Sequence, residues 1–266
     1  MAEGLRAVTA AKKHLRQKIA DRLKCVSPES IVDQSNAIAD TVRSLPEYKR
    51  AKTIGVYMHM EISHVVPRKS GRNVEVRTDR LIKNAFDDGK QVYLPRIIHS
   101  ADLSDELQNL FRTAQQSLHN DVESSYFPSR FLKMLKMPDH EAVQALVVPN
   151  DGTHAFTIKE PSHDGADALE TAGLDMIIVP GLVFTTACER IGRGKGFYDN
   201  YINLHKLASQ GQGRPGPWLV GIGLREQLVR ESDLVDTTNH SFPCEDHDQQ
   251  LDILVVDSDI YRRPCR

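Results

Sequence analysis

Cysteine is scarce and poorly placed for cross-linking. Cys25, Cys188, Cys244 and Cys265 stand far apart, without the paired spacing of a disulfide framework or a zinc ribbon. Reduced, intracellular thiols are therefore expected. A basic excess is also missing: Lys and Arg number 34 against 36 Asp and Glu, which argues against a nucleic-acid partner. No apolar run approaches a membrane span, so no membrane partner is expected, and the N-terminus lacks the apolar core of a secretory signal. These absences predict a cytoplasmic protein. A mitochondrial one is the alternative, because the first two dozen residues are rich in Lys and Arg. A basic first helix accounts for the same residues, and Glu3 and Asp21 interrupt the pattern of a transit peptide.

What is present is ordinary globular material. With 266 residues, 40% hydrophobic and 26% charged, the chain can bury a good core. "LRAVTAAKKHLRQKIADRL" carries Leu15, Ile19 and Leu23 at helical spacing. Ser27-Pro28 supplies an N-cap and a first-turn proline for a second helix over about 28–44. "TIGVYM" (53–58) predicts a strand, "RLIKNAFDDGK" a helix and "QVYLPRI" (91–97) a strand. Such alternation favours a parallel sheet covered by helices.

The continuous apolar run "LDMIIVPGLVF" (174–184) predicts a strand buried on both faces. "FYDNYINLHKLA" opens a helix, and "PWLVGIG" and "LDILVVD" give two more buried strands. The expected architecture is one α/β domain over 1–266: three-layered, mainly parallel, helices on both faces, Rossmann-like. Two segments fit it poorly. The basic stretch 65–80, "VVPRKSGRNVEVRTDR", reads as an exposed excursion, and 100–130 as a surface helix between loops. Both read as insertions.

Between the apolar run and the following helix lies "RIGRGKGFYDNY" (190–201). Gly192, Gly194 and Gly196 alternate there with Arg193 and Lys195. Ordered glycine costs backbone entropy, so such a run is expected where positive φ or close backbone approach is required. Its spacing is neither that of a P-loop nor that of the dinucleotide fingerprint. A glycine loop entering a helix N-terminus offers free amide donors and a favourable dipole to an anion. Arg193 can grip phosphate oxygens in a fork, while Lys195 supplies a mobile point charge.

"VPGLVF" followed by "RIGRGKGFYDNYI" closely resembles the signature of the 5-formyltetrahydrofolate cyclo-ligase (methenyltetrahydrofolate synthetase) family. "AKKHLRQKI", "TIGVYM" followed by Glu61, "GKQVYLPRI", "IKEP", "LVGIGLREQLV" and "FPCEDHDQQLDILVVD" resemble further family segments in the family's order. The resemblance implies an enzyme in which ATP and magnesium convert 5-formyltetrahydrofolate to 5,10-methenyltetrahydrofolate, ADP and phosphate. ATP phosphorylates the formamide oxygen, N10 of the folate attacks the activated carbon, and phosphate leaves. Phosphoryl transfer asks a protein mainly for positioning and charge neutralisation, and alternating glycines and cations supply both.

By the same resemblance, Lys12 and Arg16 match an ATP-contacting pair. Gly192, Arg193, Gly194, Lys195, Gly196, Phe197 and Tyr198 match the loop that meets phosphates and folate, with Arg193 and Lys195 catalytic. Phe197 replaces a common tyrosine. Asp199 and Asp248 match two magnesium-linked carboxylates. Glu61 and Tyr198 match the folate side, where a carboxylate suits the donor-rich edge of a pterin. Small-molecule substrates and a monomer are expected.

Two departures stand out. The family has several more residues between "YM-x-M" and its glutamate, and "TTACE" (185–189) replaces its Asp-x-x-Gly hairpin turn. They leave open a nucleotide- or folate-binding relative that has lost turnover. Zinc binding by Cys244 and His247 lacks a second ligand pair, nucleophilic catalysis by Cys188 lacks a base, and a sugar-phosphate isomerase-like activity would rest on fold analogy alone.

Overall fold

The structure, a computed structural model, describes residues 2–60, 71–118, 127–148, 158–161, 165–235, 237, 241–245 and 247–264. In chain order come α1 (Ala2–Leu23), α2 (Pro28–Ser44), α3 (Pro46–Arg50), β1 (Thr53–Gly55), α4 (Asp79–Asp87) and β2 (Gln91–His99). There follow α5 (Asp105–Leu118), β3 (Arg130–Lys136), α6 (His140–Gln144), β4 (Met176–Val179) and the strand pair β5 (Val183–Phe184) and β6 (Arg190–Ile191). The chain ends with α7 (Phe197–Gly211), β7 (Trp218–Gly223), β8 (Ile253–Val256) and β9 (Asp259–Arg262).

Seven strands form one sheet in the order β3-β2-β1-β4-β7-β8-β9. The β2-β1-β4-β7-β8 centre is parallel, and β3 and β9 add antiparallel edges. The two-residue strands β5 and β6 pair separately as an antiparallel ribbon.

Side-chain alternation explains why the central strands are apolar throughout, since successive residues point to opposite faces. In β4, Met176 and Ile178 enter one core while Ile177 and Val179 enter the other. In β8, Ile253 and Val255 divide from Leu254 and Val256 in the same way. The first core is closed by Leu15, Ile19 and Leu23 of α1, Ile31, Ile38 and Val42 of α2, and Leu81 and Ile82 of α4. The second is closed by Leu107 and Phe111 of α5 and by Tyr201, Ile202 and Leu204 of α7. Helices thus cover both faces, as the three-layer expectation requires.

The second helix begins at Pro28, and the Ser27 hydroxyl accepts the N–H of Ser30 as its cap. The apolar run 174–184 departs from expectation: it is two strands, because Pro180 and Gly181 interrupt the ladder between Val179 and Val183. Proline cannot donate to a sheet.

The expectation of an exposed excursion at 65–80 also needs correction where that segment is described. Residues 65–70 lie outside the described residues, but 71–80 are not an exposed excursion. Val74 and Val76 are each 1% exposed and belong to the first core. Gly71 lies against α1 so closely that a Cβ would meet the carbonyl oxygen of Ala20 at 1.8 Å. Within 100–130, α5 is an amphipathic surface helix: Asp105, Glu106, Asn109 and Arg112 are exposed, while Leu107 and Phe111 are buried and Phe111 meets Phe131 of β3 edge-to-face at 5.0 Å.

Candidate active site

The glycine loop joins β6 to α7, and its backbone explains the alternation. Gly194 (φ +90°) and Gly196 (φ +69°) occupy left-handed conformations, which L side chains adopt only at a cost. Gly196 is the residue at which α7 begins. The first amides of α7 and its positive dipole end therefore face the loop. Lys195 is exposed between these glycines. Gly192 has no positive φ, but its carbonyl accepts a 2.8 Å hydrogen bond from Arg16 Nε, and the Arg16 guanidinium lies 3.5 Å from where a Cβ on Gly194 would sit. Arg16 thus clamps the loop from α1.

One turn earlier on α1, Lys12 Nζ reaches a different partner, the acidic segment before β8. It sits 2.5 Å from Glu245 Oε2 and 2.5 Å from Asp248 Oδ2. Burial would lower the Lys12 pKa, but hydrogen bonds to Asp248 and Glu245 outweigh it and hold the ammonium above its ordinary value. Asp248 also accepts the N–H of Glu245 at 2.8 Å.

Asp199, in the first turn of α7, receives Arg190 Nη2 at 2.5 Å and the N–H of Gln249 at 3.2 Å through one oxygen. The acidic segment and α7 are therefore joined beside Asp248. The tight group of potential metal ligands is Glu245, His247 and Asp248, whose ligand atoms lie within 4.8 Å of one another. Asp199 adjoins this group through Gln249 rather than completing it. Cys244 is not part of the group; its Sγ faces Glu189 Oε1 at 3.8 Å. The pairing of Cys244 with His247 thus gains no geometry here.

Glu61 lies outside the described residues. Among the described residues, Glu75 is the carboxylate paired with Arg193 of the loop, and the sequence reasoning missed it. Three contacts stitch 75–78 onto the end of the β1 segment. Tyr57 Oη donates to the Val76 carbonyl at 3.1 Å, Thr78 Oγ1 donates to the Tyr57 carbonyl at 2.8 Å, and Met60 N–H donates to Glu75 Oε2 at 3.1 Å. Glu75 is 9% exposed, and its Oε1 is 2.7 Å from Arg193 Nη2. The signal in the sequence was the unexpectedly short spacing from Met60 to Glu61. A second glutamate, followed by Val76 and Thr78 directly ahead of a helix, stood further on.

Burial, reinforced by the nearby Glu75 charge, pushes the Tyr57 and Tyr198 phenols well above their ordinary pKa, so both remain protonated donors. Tyr198 Oη is buried and has no hydrogen-bond partner among the described residues, and Arg193 Nη2 has no aligned acceptor. Such orphaned donors call for an explanation. A bound ligand supplies one. Phe197 packs on the second core and Tyr198 on both.

Cys188 is not a nucleophile. It is fully buried, and burial pushes its thiol up to about 11, whereas reactive thiols are held low. It occupies the hairpin turn at φ +64°, the kind of position the family's glycine fills. Thr185 Oγ1 accepts the Glu189 N–H there at 3.2 Å.

Residues 8–257 match the model of the 5-formyltetrahydrofolate cyclo-ligase family. A probable 5-formyltetrahydrofolate cyclo-ligase of Schizosaccharomyces pombe is 30% identical over 253 residues, covering 94% of this chain and 97% of its own. The 5-formyltetrahydrofolate cyclo-ligase of Saccharomyces cerevisiae is 28% identical over 247 residues, covering 92% and 95%. Among solved structures, the Aquifex aeolicus 5,10-methenyltetrahydrofolate synthetase superposes with a TM-score of 0.56 at 21% identity, covering 96% of this chain and 94% of its own. That likeness bears on the fold. The family match over nearly the whole chain bears on descent: this protein belongs to the 5-formyltetrahydrofolate cyclo-ligase family.

Proposed function

We propose that the glycine loop and Glu75 together form the site at which this ligase turns 5-formyltetrahydrofolate into 5,10-methenyltetrahydrofolate at the expense of ATP. One observation carries the assignment. Arg193 stands in the loop at the N-terminus of α7 and also touches Glu75, so an anion locus and a donor-reading carboxylate lie side by side. The reaction needs that adjacency, because the formyl oxygen on the pterin must meet the terminal phosphate of ATP.

In this reading Arg193 and Lys195 hold and neutralise the transferring phosphoryl group, which asks for positioning and charge rather than covalent chemistry. The amides at the start of α7 add to that field. Arg16 fixes the loop through the Gly192 carbonyl. Glu75 takes the place that the resemblance gave to Glu61 and accepts N–H donors of the pterin edge, with the Tyr198 hydroxyl free to donate to the same ligand.

The acidic cluster fits a magnesium ion. Its carboxylate oxygens are hard donors of the kind magnesium selects; Lys12 lies between Glu245 and Asp248 in the structure, and the ion would take over its neutralising role there. Asp248, Glu245 and the neighbouring Asp199 would hold the ion, which when bound neutralises phosphate charge. A reading as a relative without turnover drew on the altered segment after Met60. With Glu75 supplying the carboxylate, no observation favours it. A monomer in the cytoplasm is proposed on the sequence grounds given above; no described helix is long and apolar enough to cross a membrane.

The test is direct. With ATP, magnesium and 5-formyltetrahydrofolate, near-ultraviolet absorbance of the methenyl product should rise in step with ADP release. ATP hydrolysis without methenyl product, or neither, would overturn the assignment.

A further inference from the structure

We propose that Arg193 is shared between the two substrates: Glu75 holds it in the free protein, and folate binding at Glu75 releases it to the phosphates, so that each substrate strengthens binding of the other. This rests on the functional reading above and adds to it a coupling between the two halves of the site.

The contacts define a competition. Glu75 Oε2 is fixed by the Met60 amide, which leaves Oε1 for a mobile partner. Among the described residues, Arg193 is the cation within ion-pair distance of that oxygen, at 2.7 Å. The pair is close but poorly aligned, since Arg193 Nη2 makes no hydrogen bond there although it is buried. Its other terminal nitrogen, Nη1, points at the Met60 sulfur at 3.6 Å, a weak acceptor. Arg193 is therefore held by charge more than by directed hydrogen bonds, and it keeps donor capacity for a better acceptor.

A pterin edge presents neutral N–H donors. When they occupy Glu75, the carboxylate keeps its hydrogen bonds but the Arg193 charge loses its partner. The Arg193 side chain is a quarter exposed and sits five residues before Tyr198, beside the start of α7. A phosphate at that helix terminus is its natural new acceptor, in the forked geometry arginine offers. Gly192 and Gly194 flank Arg193 on both sides, so the side chain can be re-aimed with little backbone resistance. Binding linkage then requires reciprocity: if folate tightens ATP, ATP tightens folate by the same factor.

Isothermal titration of the full chain with magnesium and the β,γ-imido analogue of ATP, which does not turn over, tests this with and without saturating 5-formyltetrahydrofolate. In the wild type, folate should tighten the analogue by about 5- to 150-fold, the usual span of such couplings, and the analogue should tighten folate equally. In Glu75→Gln, the analogue alone should bind several-fold tighter than to wild type, and the coupling factor should fall to about one. In Arg193→Gln, folate alone should bind tighter than to wild type, again without coupling. Independent binding of the two ligands to the wild type would overturn the exchange while leaving the functional reading intact. So would weaker binding of the analogue alone to Glu75→Gln. Failure of either ligand to bind the wild type would overturn the functional reading, and the exchange with it. Should Glu75→Gln not fold, Arg193→Gln and the reciprocal wild-type titrations still decide.

Discussion

Replacing Glu75 by Gln separates the residue that the structure places at the loop from the one that the sequence resemblance indicated. The amide is nearly isosteric and its oxygen can still accept the Met60 N–H, now held at 3.1 Å. The fold loses the ion pair with Arg193, a partner 25% exposed and not aligned for hydrogen bonding. Because Glu75 is buried and Arg193 partly so, the stability cost should lie between that of an exposed pair, about 1 kcal/mol, and that of a buried one, about 3 kcal/mol. Catalysis should suffer as well. A hydrogen bond to a charged group contributes about 1.5–3 kcal/mol against about 1 for a neutral one. If two pterin donors meet the carboxylate, the amide loses about 2 kcal/mol, which is roughly a 30-fold fall in kcat/KM. Glu61→Gln, by contrast, should stay within about twofold of wild type. The assay is the absorbance of the methenyl product under limiting folate, with thermal melting to confirm that both variants fold. A folded Glu75→Gln with wild-type kcat/KM, or an equally large fall in Glu61→Gln, would refute the placement of Glu75 at the pterin.

Lys195 has no ion-pair partner among the described residues and is exposed, so Lys195→Ala should leave the melting temperature unchanged. Turnover should nevertheless fall by about 2–4 kcal/mol of transition-state stabilisation, comparable to losing an oxyanion donor; unchanged kinetics would remove the lysine from the mechanism. Asp199→Asn and Asp248→Asn should each depress turnover strongly at limiting magnesium. Their double variant should fall well short of additivity if both act through one ion, and additive losses would separate them. His205 predicts a pH effect on stability. Its Nε2 accepts the Leu174 N–H at 2.8 Å, and burial lowers its pKa to about 4. The unfolded chain takes up a proton near pH 6.5 that the fold refuses until about pH 4. Stability should therefore drop as pH falls through that window, by about 2 kcal/mol between pH 7 and pH 5. Urea midpoints flat over that range, or an equal slope in His205→Gln, would contradict it.

Much of this protein was determined by local chemistry that a sequence displays. Ser27-Pro28 starts a helix because a hydroxyl cap and a proline without an N–H suit a helix N-terminus and little else. The apolar runs of β4, β7 and β8 announce strands buried on both faces, since alternate side chains enter two cores. Gly194 and Gly196 declare a left-handed loop, because other residues resist that backbone. The alternation of Gly192, Gly194 and Gly196 with Arg193 and Lys195 marked the loop as a candidate anion site, whereas Lys12 and Arg16 were singled out by the resemblance alone.

What only the tertiary structure decided depends on contacts between distant segments. Val74 and Val76 sit in a polar, basic stretch whose composition spoke for solvent, yet Tyr57 and Thr78 draw that stretch onto the end of β1. Distance in sequence does not limit proximity in space: Glu75, 118 residues before Arg193, becomes its ion-pair partner, which no local pattern announces. Lys12 likewise reads from sequence as a solvated cation one turn from Arg16, and only folding sets it between Glu245 and Asp248. A charge has no periodicity that names its partner, because Coulomb attraction depends on distance and burial, and those are set by packing.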